Sequence, residues 1–113
     1  MNHIFLYGPS GAGKSTIGKQ LAQNLKLAFV DLDRVIESNA GMSIPRIMET
    51  QGETAFRDLE SAALKRFDFA NAPLSAKEMV ESVIALGGGA LLRDENRAVA
   101  ERAGKVVLLT AKL

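Results

Sequence analysis

The sequence predicts an α/β fold, a parallel sheet with helices on both faces. Three observations predict it. Four short apolar runs, at residues 3–7, 27–30, 83–86 and 106–109, read as buried strands. Segments with helical apolar spacing separate them, the alternation typical of parallel sheets. A glycine-rich loop, Gly8 to Ser15, joins the first strand directly to the first helix.

The elements follow in order. His-Ile-Phe-Leu-Tyr at residues 3–7 stops at Gly8-Pro9, a strand entering a tight turn. Lys14 to Leu25 places Ile17, Leu21 and Leu25 at fourfold spacing, which predicts one helix face turned to the core. Leu27 to Val30 is the second strand, ending at Asp31-Leu32-Asp33. A helix is expected from near Asp33, with the Asp33 side chain capping its amides, until Asn39-Ala40-Gly41 stops it. Ser43 caps a short helix over residues 44–50, with Pro45 in the first turn, where proline is tolerated, and Ile44, Ile47 and Met48 on one side. A longer amphipathic helix runs from Gly52 to about Phe69, offering Phe56, Leu59, Ala63, Leu64 and Phe67 for packing. Asp68 to Ser75 reads as a connector, followed by a helical turn through Ala76 to Val80. Val83 to Leu86 is the third strand and ends in three glycines. Arg93 to Ala103 is helical, Gly104 ends it, and Val106 to Leu109 is the fourth strand, its continuous apolar character suggesting burial.

The chain has 113 residues, 47% hydrophobic and 24% charged, which suits one globular domain over residues 1–113. The 14 basic and 13 acidic residues leave a net charge of +1, so nucleic acid is not an expected partner. Without cysteine, and with His3 as the sole histidine, thiolate and histidine-rich metal sites are excluded. Neither a membrane-length apolar stretch nor a signal-peptide pattern is present, so the expected location is the cytoplasm.

Gly8-Pro9-Ser10-Gly11-Ala12-Gly13-Lys14-Ser15 satisfies the full Gly-x-x-x-x-Gly-Lys-Ser pattern in its strand–loop–helix context. Small residues let the backbone curl until several amides face one cavity, and the helix dipole favours an anion there. Gly11, Ala12 and Gly13 therefore supply backbone donors to nucleotide phosphates. Lys14 brings a charge to the outer phosphates, and Ser15 offers a hydroxyl to magnesium. The Thr16 hydroxyl either touches an inner phosphate or serves the helix itself.

Asp31 and Asp33 lie at a strand end on the same rim, and alternation in an extended segment would put them on one side. One would steer magnesium and the other accept a proton from a hydroxyl; the other reading is a helix cap with a solvent-facing acid. Glu37 reads as scaffold or ion-pair partner. Arg57 is either a fork for a planar carboxylate or a surface arginine, with Phe56 an apolar wall or a core residue. Glu60 stands three residues on, able to brace Arg57. Gly87, Gly88 and Gly89 either admit a ligand close to backbone amides or simply make a tight turn. Arg93 receives no role.

The combination resembles the shikimate kinase family. The resemblance rests on residues 8–16, on Phe-Val-Asp-Leu-Asp-Arg-Val-Ile-Glu at 29–37, on Gly-Glu-Thr-Ala-Phe-Arg-Asp-Leu-Glu at 52–60 and on Ala-Leu-Gly-Gly-Gly-Ala at 85–90, in the family's order. It implies a P-loop, nucleoside-monophosphate-kinase-like sheet ordered 2-3-1-4-5, and phosphoryl transfer from ATP, with Mg2+, to the 3-hydroxyl of shikimate. By position, Lys14 would meet the transferred phosphate. Ser15 and Asp31 would serve magnesium, and Asp33 would orient the acceptor hydroxyl with base character. Arg57 would grip the shikimate carboxylate among Phe56, Gly87, Gly88 and Gly89. Against that family the chain is expected to lack the fifth strand, the mobile lid, a later substrate arginine and the adenine loop, and to carry a long connector around Phe69 to Glu78. An incomplete kinase domain of this kind is expected to turn over poorly alone. The uncovered terminal strand would then serve self-association or a completing partner; otherwise the chain is a monomer. The rivals are another small-metabolite kinase, such as one resembling gluconate kinase, and a catalytically impaired nucleotide-binding or interaction module.

Overall fold

The computed structural model describes residues 2–8, 13–68 and 80–109. The elements are β1 (His3–Tyr7), α1 (Lys14–Leu25), β2 (Ala28–Asp31), α2 (Leu32–Ala40), α3 (Ile44–Gln51), α4 (Glu53–Lys65), β3 (Ser82–Ala85), α5 (Asp94–Ala103) and β4 (Gly104–Leu108). The strands form one sheet in the order β2-β3-β1-β4. Every pairing is parallel, with Phe5 opposite Ile84 on one side and Val106 on the other. The connector expected at Phe69 to Glu78 lies outside the described residues. No helix among the described residues is long and apolar enough to cross a membrane.

Strand alternation feeds two cores. Leu6 and Val83 face α1, where Ala22 completes a small cluster with Leu21, Leu27 and Phe29. Phe5, Ile84 and Leu86 share the opposite, larger cluster with Leu32 and Ile36 of α2, Ile47 of α3, Phe56 and Leu64 of α4 and Val99 of α5. Helices thus cover both faces, as the apolar pattern predicts.

Three expectations about packing change. The inward face of α1 is rotated: Ile17 and Leu25 are exposed, and Gly18 and Ala22 are buried instead. The cause is Gly18, where a Cβ would stand 2.6 Å from Phe29 Cε1 and 3.2 Å from Leu6 Cδ1, so the helix packs on the sheet with backbone rather than with a large side chain. On α3, Met48 points outward while Ile47 is fully buried. At β4, Val107 and Leu108 are exposed, because among the described residues this strand pairs with β1 alone and stands at the sheet edge.

Helix ends follow local chemistry. Ser43 Oγ accepts from Arg46 N and caps α3 as expected. Gly52, at φ 91°, closes α3 and opens α4, a left-handed turn that favours glycine. The long helix is accordingly bounded at Glu53 and ends at Lys65, short of Phe69.

Candidate active site

One end of the candidate site begins where β1 stops. Gly8 is buried, and a Cβ there would lie 2.3 Å from the Leu109 carbonyl oxygen, so only glycine lets the chain turn beside the end of β4. Gly11 and Ala12 lie outside the described residues. Gly13, at φ 77°, is the N-cap of α1, and its carbonyl accepts from Ile17 N at 2.9 Å. Lys14, Ser15 and Thr16 form the first turn, which carries no acidic side chain, and the Ser15 and Thr16 side chains stand open to solvent. A helix start of this kind presents unpaired amides and a positive dipole end. Lys14 Nζ donates to Gly8 O at 2.5 Å, which pins the ammonium across the mouth of the loop.

Asp31 and Asp33 come together by a different route from the one alternation implies. The chain turns helical at Leu32, which is fully buried, so Asp31 ends β2 while Asp33 already sits in the first turn of α2. The cap is Asp31, not Asp33: its Oδ1 accepts from Asp33 N at 3.1 Å. Asp33 is thereby freed from capping and turns into the site. Burial pushes its carboxyl pKa up, as does the charge of Asp31, while Lys14 and Arg57 pull the other way. Those four side chains therefore share one electrostatic neighbourhood. Glu37 is scaffold: Oε2 accepts from Ile44 N at 2.9 Å and ties α2 to the start of α3, and Oε1 lies 3.9 Å from Arg34.

The opposite end is built on α4. Arg57 Nη1 donates to Glu60 Oε1 at 3.0 Å, one turn along the helix, and its guanidinium carbon lies 5.1 Å from the Phe56 ring centroid. Phe56 itself is buried in the larger core. Glu60 is 1% exposed; burial pushes its pKa up, and the hydrogen bond from Arg57 restrains the rise. An arginine held this way has lost much of the freedom of a surface side chain, so less would be left to lose on meeting a planar anion.

The three glycines after β3 connect the two ends. A Cβ at Gly89 would fall 2.4 Å from Arg57 Nη1, and one at Gly87 would fall 3.1 Å from Asp33 Oδ1 and 3.6 Å from Glu60 Oε2. One backbone turn thus lies against the acid at one end and the guanidinium at the other. A Cβ at Gly88 would meet nothing within 4 Å, and Gly88 lines a cleft of about 320 Å3 with Tyr7, Leu91, Arg97 and Val106.

Two residues of this region escape the sequence reading. Arg93 Nη1 donates to Asp58 Oδ1 at 2.9 Å and to Ser61 Oγ at 3.2 Å, both on α4. Asn96, 1% exposed, donates from Nδ2 to Ala90 O at 2.8 Å and holds the end of the glycine turn. A signal for Asn96 existed: it shares the buried stripe of α5 with Val99, Ala100 and Ala103, a polar residue on an apolar face. Arg93 gave none, because an arginine before a helix looks the same whether or not it reaches a neighbour.

Known proteins resemble this chain along nearly its whole length. A family model described as shikimate kinase matches residues 10–113. A shikimate kinase of Pseudomonas aeruginosa is 45% identical over 113 residues, covering all of this chain and 60% of the relative. One of Francisella tularensis subsp. holarctica is 46% identical over 111 residues, covering 98% of this chain and 58% of that protein. Among solved structures, the shikimate kinase of Acinetobacter baumannii in complex with shikimate aligns with a TM-score of 0.84 at 37% identity, over 99% of this chain and 57% of that one. The chain thus spans about 60% of the length of these relatives.

Proposed function

The chain belongs to the shikimate kinase family, and from that premise we propose that it serves ATP-dependent phosphorylation of the 3-hydroxyl of shikimate, in the cytoplasm. The observation that carries the reading is the seating of Arg57, fixed by Glu60 and laid flat against Gly89, while the same turn reaches Asp33 at Gly87. A small acceptor with a planar carboxylate at one end and hydroxyls at the other suits that spacing. Arg57 takes the carboxylate by its fork, with Gly87, Gly88 and Gly89 as the wall and Phe56 behind the guanidinium.

Asp33 then receives the hydroxyl. Orientation is its first task, since phosphoryl transfer asks mainly for alignment and charge neutralisation. Its raised pKa also makes it a better proton acceptor than an exposed aspartate, so the hydroxyl proton passes to its carboxylate as the oxygen attacks. Lys14, with the loop amides of Gly11, Ala12 and Gly13, holds the phosphates and offsets charge on the group being moved, and Thr16 adds a hydroxyl beside an inner phosphate. Magnesium fits the donor set here. Among the described residues no cluster of three or more acids or histidines could hold an ion unaided. Ser15 and Asp31 offer the one hydroxyl and one carboxylate that suit an ion completed by waters and substrate phosphates. When bound, such an ion neutralises charge on the phosphate oxygens.

Because the relatives are longer than this chain, the first test is binding. Shikimate titrated calorimetrically with Mg·ADP present should bind, and Arg57→Lys, which keeps a charge for Glu60 and loses the fork, should bind at least about tenfold more weakly. Unchanged affinity, or equal affinity for gluconate, refutes the assignment.

A further inference from the structure

The turn that carries Gly87 to Gly89 has to hold its place against α4, because Gly89 and Arg57 are separated by too little space for a methyl group. Within the turn, Ala90 N donates to Gly87 O at 3.1 Å and Leu92 N to Gly89 O at 3.2 Å, which sets its curl. Neither bond ties the turn to α4. Asn96 anchors its far side to α5 through Ala90 O. Arg93 makes the link to α4. Its guanidinium reaches Asp58 and Ser61, the residues immediately after Arg57 and Glu60 in sequence. The Asp58 half of this contact is open to solvent and screened, so the bond to Ser61, which is 4% exposed, is the half that fixes the guanidinium. Arg93 also contributes to the field at Glu60, favouring its charged form.

We infer that Arg93 is a positioning residue for the carboxylate grip: bridging the glycine turn to α4 at Asp58 and Ser61, it sets the distance between Gly89 and the Arg57 guanidinium. The inference deepens the proposed shikimate reading and rests on it for the identity of the anion, but the mechanical claim stands apart from the ligand. Among the described residues the Arg93 guanidinium meets Asp58, Ser61 and Glu95 and neither Lys14 nor Asp33, so its effect is selective. Loosening the turn weakens anion binding and leaves nucleotide binding as it was.

The experiment compares the 113-residue chain with Arg93→Ala and Arg93→Lys by amide hydrogen exchange and by titration. In Arg93→Ala, the amides of Ala90 and Leu92 should exchange about tenfold faster relative to those of the β1 core. Shikimate affinity should fall about tenfold, short of the roughly hundredfold that a 1 Å misplacement can cost. Mg·ADP affinity should stay within about twofold, inside the range of an untouched site. Arg93→Lys retains a donor for Asp58 and should recover most of the protection. Exchange at Ala90 and Leu92 unchanged in Arg93→Ala, or accelerated only together with the β1 core, overturns the inference. Should the unsubstituted chain bind no shikimate, the functional reading falls, while the exchange measurement still decides the role of Arg93.

Discussion

Gly89→Ala is the sharpest perturbation of the proposed acceptor site. The added methyl would lie 2.4 Å from Arg57 Nη1, 2.5 Å from Nη2 and 2.6 Å from Cζ. Carbon and nitrogen need roughly 3.5 Å, so the guanidinium must retreat by about 1 Å. Retreat is possible because the obstacle is the far end of a flexible side chain. Its consequence falls on the Arg57 Nη1 to Glu60 Oε1 bond, now 3.0 Å, which at about 4 Å is no longer a hydrogen bond.

Two losses follow. Disorienting a charge-assisted donor costs about 1.5–3 kcal/mol, which corresponds to about 10- to 150-fold in the dissociation constant for shikimate. Glu60, 1% exposed, also loses its partner inside the protein, at about 1–3 kcal/mol of stability. The sign of the pH dependence checks the second loss. Glu60 already has a folded pKa raised by burial and restrained by Arg57, so weakening that contact raises it further. The variant then gains more from protonation than the unsubstituted chain, and its stability deficit shrinks as pH falls through the Glu60 titration. Calorimetric titration with shikimate and denaturant unfolding at several pH values read both losses. Gly88→Ala, whose methyl meets nothing within 4 Å, should keep its stability. Shikimate affinity of Gly89→Ala within about twofold of the parent would refute the reasoning, since a displaced fork cannot grip unchanged.

Three further outcomes are expected. Gly18→Ala should destabilise by about 1–3 kcal/mol through overpacking, despite the helix propensity gain of about 1 kcal/mol, because its methyl would sit 2.6 Å from the Phe29 ring; denaturant unfolding decides. Asp31→Ala should lose about 1 kcal/mol with the helix cap, whereas Asp31→Asn keeps a cap acceptor and stability but loses magnesium-dependent nucleotide affinity, read by titration with and without the metal. His3 is fully buried, its Nδ1 accepts from Ser82 N at 3.1 Å, and burial lowers its pKa from 6.5. The unfolded chain therefore takes up a proton that the folded chain resists. Stability from this residue is intact above pH 6.5 and declines below it by at most about 1.4 kcal/mol per pH unit. Subtracting the pH profile of His3→Asn, whose Oδ1 replaces Nδ1, should isolate that slope.

The strands and most helix starts were legible because their causes are local. A continuous apolar run between turn residues, or Ser43 before Pro45, acts within a few residues. The face of α1 was not legible in that way. Its apolar spacing selects Ile17, Leu21 and Leu25, yet the closest approach to the sheet is made by Gly18, and a glycine adds nothing to an apolar pattern. Likewise the cap of α2 depended on where the strand ended. A cap two residues earlier than expected exchanged the roles of Asp31 and Asp33. Glu60 was legible as a brace because a helix brings residues three apart together, while the Arg93 contacts cross between elements more than thirty residues apart in sequence.

That exchange of roles at Asp31 and Asp33 bears on how the site divides its work. The Asp31 carboxylate caps α2 and is held in place by the Asp33 amide, the fixed position that the proposed magnesium role asks of it. A carboxylate two residues on, unneeded for capping, half-buried and beside the first, is pushed toward its neutral form. The same short turn therefore makes one acid committed to a cap and one freed from it and readier to accept a proton. Moving the cap would remove the distinction. Moving the cap two residues on, to Asp33, would commit that carboxylate to the α2 amides and turn it away from Gly87, which is why the break at Leu32 matters to chemistry as much as to fold.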